Sequence, residues 1–389
     1  MSSQQFLKNN FALHSLRLQN FKCFEDQHLR LHPLTLLTGL NSTGKSSVIQ
    51  SLLLLRQSYQ QGLLLKTGLA LNGDLVHIGT AKDALFEGAD ALPKGAKEDS
   101  IGFDLLLENG IEKQWRFQYD REVDVLSLSS SASDDTMIIY DASLFNDNFH
   151  YLQAERLGPR RFFETSDFLV RQRKQLGSAG EYAAHFLSIF GDDPIPHRAL
   201  AHPNAVSLSL RAQVEAWLGE ISPGTLISLS PSPDTDTISL QFSFATSNKY
   251  RATNIGFGII YVLPILIAVL SSSAGSLLLI ENPEAHLHPR GQAEMGALLA
   301  RAASCDIQVV IETHSDHVLN GIRVAVHNGI IEPQDTQLHF FQRKVRDGLV
   351  QNEITPLLID RDGRIDRWPD GFFDEWDKSL EALLEPRKG

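Results

Sequence analysis

The sequence is poor in cysteine, in positive charge and in uninterrupted apolar runs, and each shortage argues against a class of protein. Its 389 residues include two cysteines. These, Cys23 and Cys305, have neither C-x-x-C nor histidine-paired spacing, so nothing indicates a disulfide framework or a zinc site, and buried free thiols are expected. Thirty-five basic against 47 acidic side chains leave a formal charge of −12. That balance is the reverse of the basic footprint of a DNA-coating protein, so any nucleic-acid contact has to be a local patch. The longest apolar run, residues 255–270, is broken by Gly256, Gly258 and Pro264 and falls short of the roughly 20 residues that a bilayer-spanning helix needs. No membrane partner is expected. The opening MSSQQFLKNN shows neither a secretory pattern nor a lipidation signal, which makes the cytoplasm the expected location. What is present is an apolar fraction of 42%, enough to fill a sizeable core.

Along the chain, Leu16, Leu18, Phe21 and Phe24 mix with polar residues, and residues 34–38 form a compact apolar run that enters a glycine. Beyond the next loop, Val48, Leu52 and Leu55 recur at helical spacing, which predicts strand, tight loop and helix in succession. EGADALPKGAKEDS (residues 87–100) reads as a surface connection. Asn109-Gly110 separates two strand-like runs and predicts a hairpin. LSSSASDD (128–135) reads as another loop, and residues 181–218 carry a mostly helical pattern. Strands resume at Leu226 and Ile238, split by SPSPDTD, and a second α/β stretch begins near Arg251.

The sharpest motif is Gly39-Leu-Asn-Ser-Thr-Gly44-Lys45-Ser46, a full match to G-x-x-x-x-G-K-S/T. The backbone amides of Asn41, Ser42, Thr43 and Gly44, with Ser47 in the helix start, can wrap phosphates. Lys45 can reach the β and γ phosphates, and the Ser46 hydroxyl can ligate Mg²⁺. The expected cofactors are ATP and Mg²⁺, although such a loop reads phosphates and not the base. Further on, an apolar strand ends abruptly at Glu281-Asn282-Pro283-Glu284, a placement that sets an acid beside Mg²⁺ and its water. One helix later residues 307–311 are again strand-like and stop at Glu312-Thr313-His314-Ser315, where a histidine can sense the γ-phosphate.

Through LRLQNFKCF, the phosphate loop, IENPEAHLHP and IETHS, the sequence resembles the ABC-type ATPases of the AAA class. The branch it resembles contains the chromosome-maintenance (SMC), recombination-repair and overcoming-lysogenization-defect (OLD) ATPases. The resemblance spans about residues 11–56 and 251–323. It implies that Glu281 is the Walker B acid holding the Mg²⁺-water shell, that His314 is the switch histidine, and that residues 286–289 form the dimer-contacting D-loop. Two departures stand out. The expected catalytic glutamate is replaced by Asn282, which cannot act as a general base; Glu284 is the alternative, or else a simple strand-exit charge. In place of a Ser-Gly-Gly-like signature stands RATNIGFG (251–258), where Asn254, Gly256 and Gly258 can offer an amide and unobstructed N–H groups to a phosphate at a helix start. If they do, the site is composite and needs a head-to-head homodimer. Family members that act on chromosomes carry long heptad arms. Residues 57–250 show no sustained heptads, so the chain resembles the compact, armless ATPases of bacterial defence and mobile-element operons.

Two features stay open. Arg156, Arg160, Arg161, Arg171, Arg173 and Lys174 form the densest basic cluster, read either as a solvated face or as a patch for nucleic acid or an acidic partner. Trp368, Phe372, Phe373 and Trp376 precede an amphipathic helix in a tail that resembles an uncharacterised C-terminal module; they pack on the core or dock a partner. Asp360-Arg361-Asp362 is read as part of a turn and not as a nuclease D-x-D. The expected fold is α/β: a P-loop ABC-type ATPase head with a mixed central sheet, an antiparallel β lobe and an inserted helical lobe. The expected divisions are 1–80 and 251–335 for the split core, 81–250 for the insert and 336–389 for the C-terminal module. The expected function is an ATPase that dimerises on nucleotide and regulates an effector, a nuclease or toxin, in antiphage defence. An ATP-locked scaffold and a DNA-repair ATPase are the alternatives.

Overall fold

The computed structural model describes residues 11–88, 100–129, 134–346 and 349–385. Most of the expected connection at 87–100, and residues 130–133 of the loop expected at 128–135, lie outside the described residues.

The central sheet is built from β3 (Leu34–Gly39), β8 (Phe149–Leu152), β13 (Leu277–Glu281), β14 (Gln308–Glu312), β15 (Thr336–Arg346) and β16 (Leu349–Leu357). Their order across the sheet is β16-β15-β3-β14-β13-β8. All neighbours run parallel except β16, which turns back on β15. Runs such as LLLI and VVI are apolar at successive positions because both faces of a parallel sheet are covered. The two-residue side-chain period then divides them between two cores. Leu278, Ile280, Val309 and Ile311 face one core; Leu277, Leu279 and Val310 face the other.

The first core is covered by α5 (Phe257–Ser271), α6 (Pro289–Ala303) and α7 (Asp316–His327). The second is filled by α1 (Lys45–Gln60) and by an antiparallel sheet of β1 (Leu13–Phe21), β2 (Phe24–Arg30), β5 (Ser100–Leu107) and β6 (Glu112–Gln118), in the order β2-β1-β5-β6. Asn109-Gly110 makes the expected hairpin. Gly110 sits at φ 84°, and the Asn109 side chain accepts from Ile111 N–H. Two short elements, β4 (Gly68–Ala70) and β7 (Val125–Ser127), pair beside this lobe, with α2 (Ala81–Ala84) nearby.

The helical lobe contains α3 (Ala183–Phe190) and α4 (Leu210–Ile221). The residues between them are irregular, unlike the mostly helical expectation, because Pro194, Pro196 and Pro203 each remove a helical donor. Beside them β10 (Thr225–Ser232) and β11 (Thr237–Phe244) form a hairpin, flanked by β9 (Phe163–Glu164) and β12 (Tyr250–Arg251). The chain ends in α8 (Glu375–Leu384).

Residues 336–341 run parallel to 34–39, so the stretch expected as a C-terminal module supplies a strand to the central sheet. Asp362-Gly363 forms a turn closed by an Ile359–Ile365 bridge, and Asp360 accepts from the N–H groups of Asp362 and Arg364. Those bonds occupy Asp360 in shaping the turn.

Candidate functional site

The phosphate loop is held where three elements meet. β3 delivers Gly39 at φ 128°, and a Cβ there would lie 2.0 Å from the Phe341 carbonyl oxygen of β15. Gly44, at φ 108°, leaves room for the β1–β2 turn: a Cβ would fall 2.4 Å from Phe24 Cζ and 2.6 Å from Cys23 Sγ. The NFKCF segment is therefore a buttress of the loop. Cys23 is half-buried and free, as is Cys305, not fully buried as expected. Helix α1 starts at Lys45 with its first amides directed at the loop. Lys45 Nζ donates to the carbonyls of Gly39 at 3.0 Å and Leu40 at 2.6 Å, so it lies folded over the loop.

Residues 41–47 line a cleft of about 1090 Å³ together with Lys22, Phe86, Tyr119, Arg121, Glu312 and Arg343. That is ample for a nucleoside triphosphate. Arg343 reaches from β15 to the Ser42 carbonyl, a cationic contribution from the C-terminal hairpin that the motif did not reveal.

Two strands end here in carboxylates. Glu281 and Glu312 are register partners at the ends of β13 and β14. Because β14 lies between β13 and β3, Glu312 is one strand spacing of about 4.8 Å from the loop strand and Glu281 is two. The Ser46 hydroxyl accordingly donates to Glu312 Oε2 at 3.1 Å. Glu281 accepts from the Tyr151 hydroxyl at 3.0 Å and from Ala154 N–H at 3.2 Å. Burial raises the pKa of Glu281. Burial and the neighbouring Glu281 charge push Glu312 up to about 7. Glu312 was missed as a site residue, although a second strand ending in an acid was the available signal.

A cation of the Mg²⁺ type fits this donor set. Ser46 and Glu312 offer oxygen ligands beside the loop with Glu281 behind them, and Mg²⁺ ordinarily takes one or two carboxylates and completes its shell with water and phosphate. Among the described residues no cluster of three or more His, Cys, Asp or Glu forms an all-protein cage.

The segment after Glu281 is shaped by backbone needs. Asn282 sits at φ 44°, a left-handed conformation that Asn tolerates better than Glu, and its N–H donates to the Glu312 carbonyl at 2.8 Å. Arg156, read in the basic cluster, is only 2% exposed. Its guanidinium donates to the carbonyls of Gln153, Tyr261, Glu281 and Asn282. It is a brace for the acid-bearing loop and leaves the surface cluster to Arg160, Arg161, Arg171, Arg173 and Lys174, all exposed. Glu284 accepts from the Thr313 hydroxyl at 2.7 Å and from His314 N–H at 2.9 Å, so each carboxylate oxygen is tied to the switch segment. The His314 side chain, whose pKa is lowered by partial desolvation and by the Lys45 charge, lines an adjoining cavity with Gly39 and Leu40.

Asn254, Gly256 and Gly258 do not line the phosphate cleft. They border a separate groove with His286 and His288. Gly256 caps α5 and is open, with nothing within 4 Å of the place a Cβ would take. At Gly258 a Cβ would meet the His286 carbonyl oxygen at 2.6 Å, so this glycine allows close packing there. His286 packs tilted against Phe257 and edge-on to Tyr261, and His288 caps α6 ahead of Pro289.

No curated protein matches this chain. Among solved structures, the SMC head bound to the C-winged helix domain of ScpA aligns at 13% identity and TM-score 0.45, covering 88% of this chain and 98% of that one. The SMC head domain from Thermotoga maritima gives 13% and 0.45, with 89% and 98% covered. The Smc head with extended coiled coil bound to the C-terminal domain of ScpA, from Pyrococcus furiosus, gives 12% and 0.44, with 96% and 100% covered. Similarity at this level carries no functional information. Residues 331–383 match a family described as a protein of unknown function. Residues 34–320, about three quarters of the chain and including both strand-end acids, match the family described as AAA domain, putative AbiEii toxin, type IV toxin–antitoxin system, and the chain belongs to that family of nucleotide-binding ATPase domains.

Proposed function

We propose that the chain binds ATP with Mg²⁺ in the Gly39–Ser46 cleft and that binding closes a head-to-head homodimer, which signals to a separate effector. The observation that carries this reading is the separation of Asn254 and Gly256 from the cleft of their own chain. An open helix start is an anion receptor, and here it faces a groove that a second copy can fill with its nucleotide. Ser46 and Glu312 would hold Mg²⁺, with Glu281 behind them; the cation would neutralise phosphate charge. Lys45 would leave the Gly39 and Leu40 carbonyls for the phosphates, and His314 would face the γ-phosphate end. The family description names a putative toxin of a type IV toxin–antitoxin system; a toxin or nuclease effector in antiphage defence is part of this proposal. The split of the core around the 81–250 insert is part of the same proposal.

Turnover is slow in this reading. Asn282 offers no base, and both Glu284 oxygens accept hydrogen bonds from the switch segment. This favours as a second reading an ATP-locked scaffold in which occupancy matters more than hydrolysis. Light scattering with and without ATP–Mg²⁺ tests the dimer, with Lys45→Ala expected to remain monomeric. Phosphate release separates the two readings. Rates above the Lys45→Ala background support a motor, and rates equal to it leave the scaffold.

A further inference from the structure

Helix α8 carries an apolar stripe that is exposed among the described residues. Trp376, Leu380, Leu383 and Leu384 follow the i, i+4, i+7, i+8 spacing of one helix face and are 72%, 43%, 80% and 85% exposed. The segment before the stripe is fixed: Phe372 is buried against Phe340 of β15, with ring centroids 5.3 Å apart. This anchor places α8 at the nucleotide face, where Phe373, Glu375 and Lys378 line one cavity with Gly39, Leu40 and His314.

The helix-start face offers a matching surface. Its groove is lined by Phe244, Tyr250, Ile255, Gly256 and His286, and Tyr250 and Phe257 are 41% and 53% exposed. The charges complement. Exposed Glu375, Glu381 and Glu385 accompany the α8 stripe, while exposed Lys249 and Arg251 border the groove; neither of these two basic residues makes an ion pair among the described residues. In a head-to-head dimer the loop face of one protomer meets the helix-start face of the other, which brings these two surfaces together.

We propose that α8 docks on a second copy of this chain, its Trp376–Leu384 stripe entering the groove beside the partner's Gly256. This inference rests on the head-to-head reading above and adds the C-terminal helix to the interface. The occupied cleft and the docked helix then share one closing motion, so loss of α8 contacts weakens nucleotide-driven dimerisation without touching the phosphate loop.

The test uses full-length chains in a Cys23→Ser, Cys305→Ser background, one carrying Trp376→Cys and the other Tyr250→Cys. They are mixed with ATPγS and Mg²⁺ and treated with a short bismaleimide. The expected result is a cross-linked heterodimer that requires nucleotide. Light scattering of Trp376→Ser/Leu380→Ser is expected to show at least a tenfold weaker dimer, with fluorescent-ATP binding by the monomer unchanged. Charge reversal at Glu375 and Glu381 is expected to weaken the dimer and to be rescued by Lys249→Glu and Arg251→Glu in the same chain. A nucleotide-dependent dimer that neither cross-links at Trp376 nor weakens in the stripe variant overturns this proposal and leaves the composite site standing. A stripe that instead serves only to retain a different protein gives that same pair of negatives. A wild-type chain that stays monomeric with nucleotide overturns both readings.

Discussion

Glu312 titrates in a range where its protonation can be followed. Its pKa is raised from the ordinary carboxylate value to about 7, so the folded chain holds this proton more tightly than the unfolded chain. The resulting stabilisation is complete below about pH 4.5 and is lost as pH rises through about 7. Glu312→Gln mimics the protonated form. It should raise the stability of the nucleotide-free protein at pH 8 by on the order of 1–3 kcal/mol and leave it unchanged near pH 4.5, as thermal melts across that interval would show. With nucleotide present the same substitution should weaken Mg²⁺-dependent binding more than Glu284→Gln does, because only Glu312 touches Ser46. Arg156 gives a second test. Removing a buried guanidinium that donates to four carbonyls takes a bond from each, although the Asn282 carbonyl keeps the Ala285 N–H, so Arg156→Met should cost about 3 kcal/mol in urea unfolding and loosen the segment that carries Glu281. Neither role was plain in the sequence. The glycines and lysine of the loop announce themselves because phosphate binding demands those types at that spacing. Glu312 was marked by a strand ending in an acid, but its contact with Ser46 follows from strand order; Arg156 read as one of a basic cluster, and no local pattern encodes its burial.

At the scale of elements, the glycines around α5 separate two reasons for the same residue type. Gly256→Ala meets open space and an ordinary φ, so it should fold normally, with any effect confined to nucleotide-driven dimerisation. Gly258→Ala pushes a methyl into the His286 carbonyl and should lower the melting temperature of the free chain by several degrees, which a thermal scan would detect. If Gly256→Ala leaves dimerisation untouched, no partner atom approaches the Gly256 backbone closely enough to require a glycine. Elements with a clear period were legible: the loop strand, α1, the Asn109-Gly110 hairpin and the strands of the β10–β11 pair. The span from 181 to 218 was less so, since two apolar helical stretches masked the proline-rich segment between them. Glu281 and Glu284 illustrate the same limit at the site. Their motif was plain, but the bonds to Tyr151, Thr313 and His314 come from elements far away in sequence.

For the molecule as a whole, the stretch after residue 335, set apart in the sequence because the motifs end before it, also supplies β15, which completes one side of β3. A chain ending at residue 335 leaves β3 with an unpaired edge and removes both Phe341 and Arg343 from the loop. Such a truncation should fail to bind fluorescent ATP at concentrations where the full chain is saturated, and its near-UV circular dichroism should be diminished. Retention of full affinity would show that β15 is dispensable to the site. The acidic balance of the chain bears on partners at this same scale. Of the five exposed basic residues in the 160–174 cluster, three already have intramolecular companions: Arg171 pairs with Asp167, Arg173 with Asp147, and Lys174 lies over the Phe190 ring.

The contact between Gly39 and the Phe341 carbonyl also sets an order of events during synthesis. The loop strand leaves the ribosome early, but its two neighbours, β14 and β15, are made some 270 and 300 residues later. Until residues 308–341 emerge, the loop strand lacks both of its neighbours. A nascent product that stops short of them therefore carries the recognisable motif without the strands that frame it.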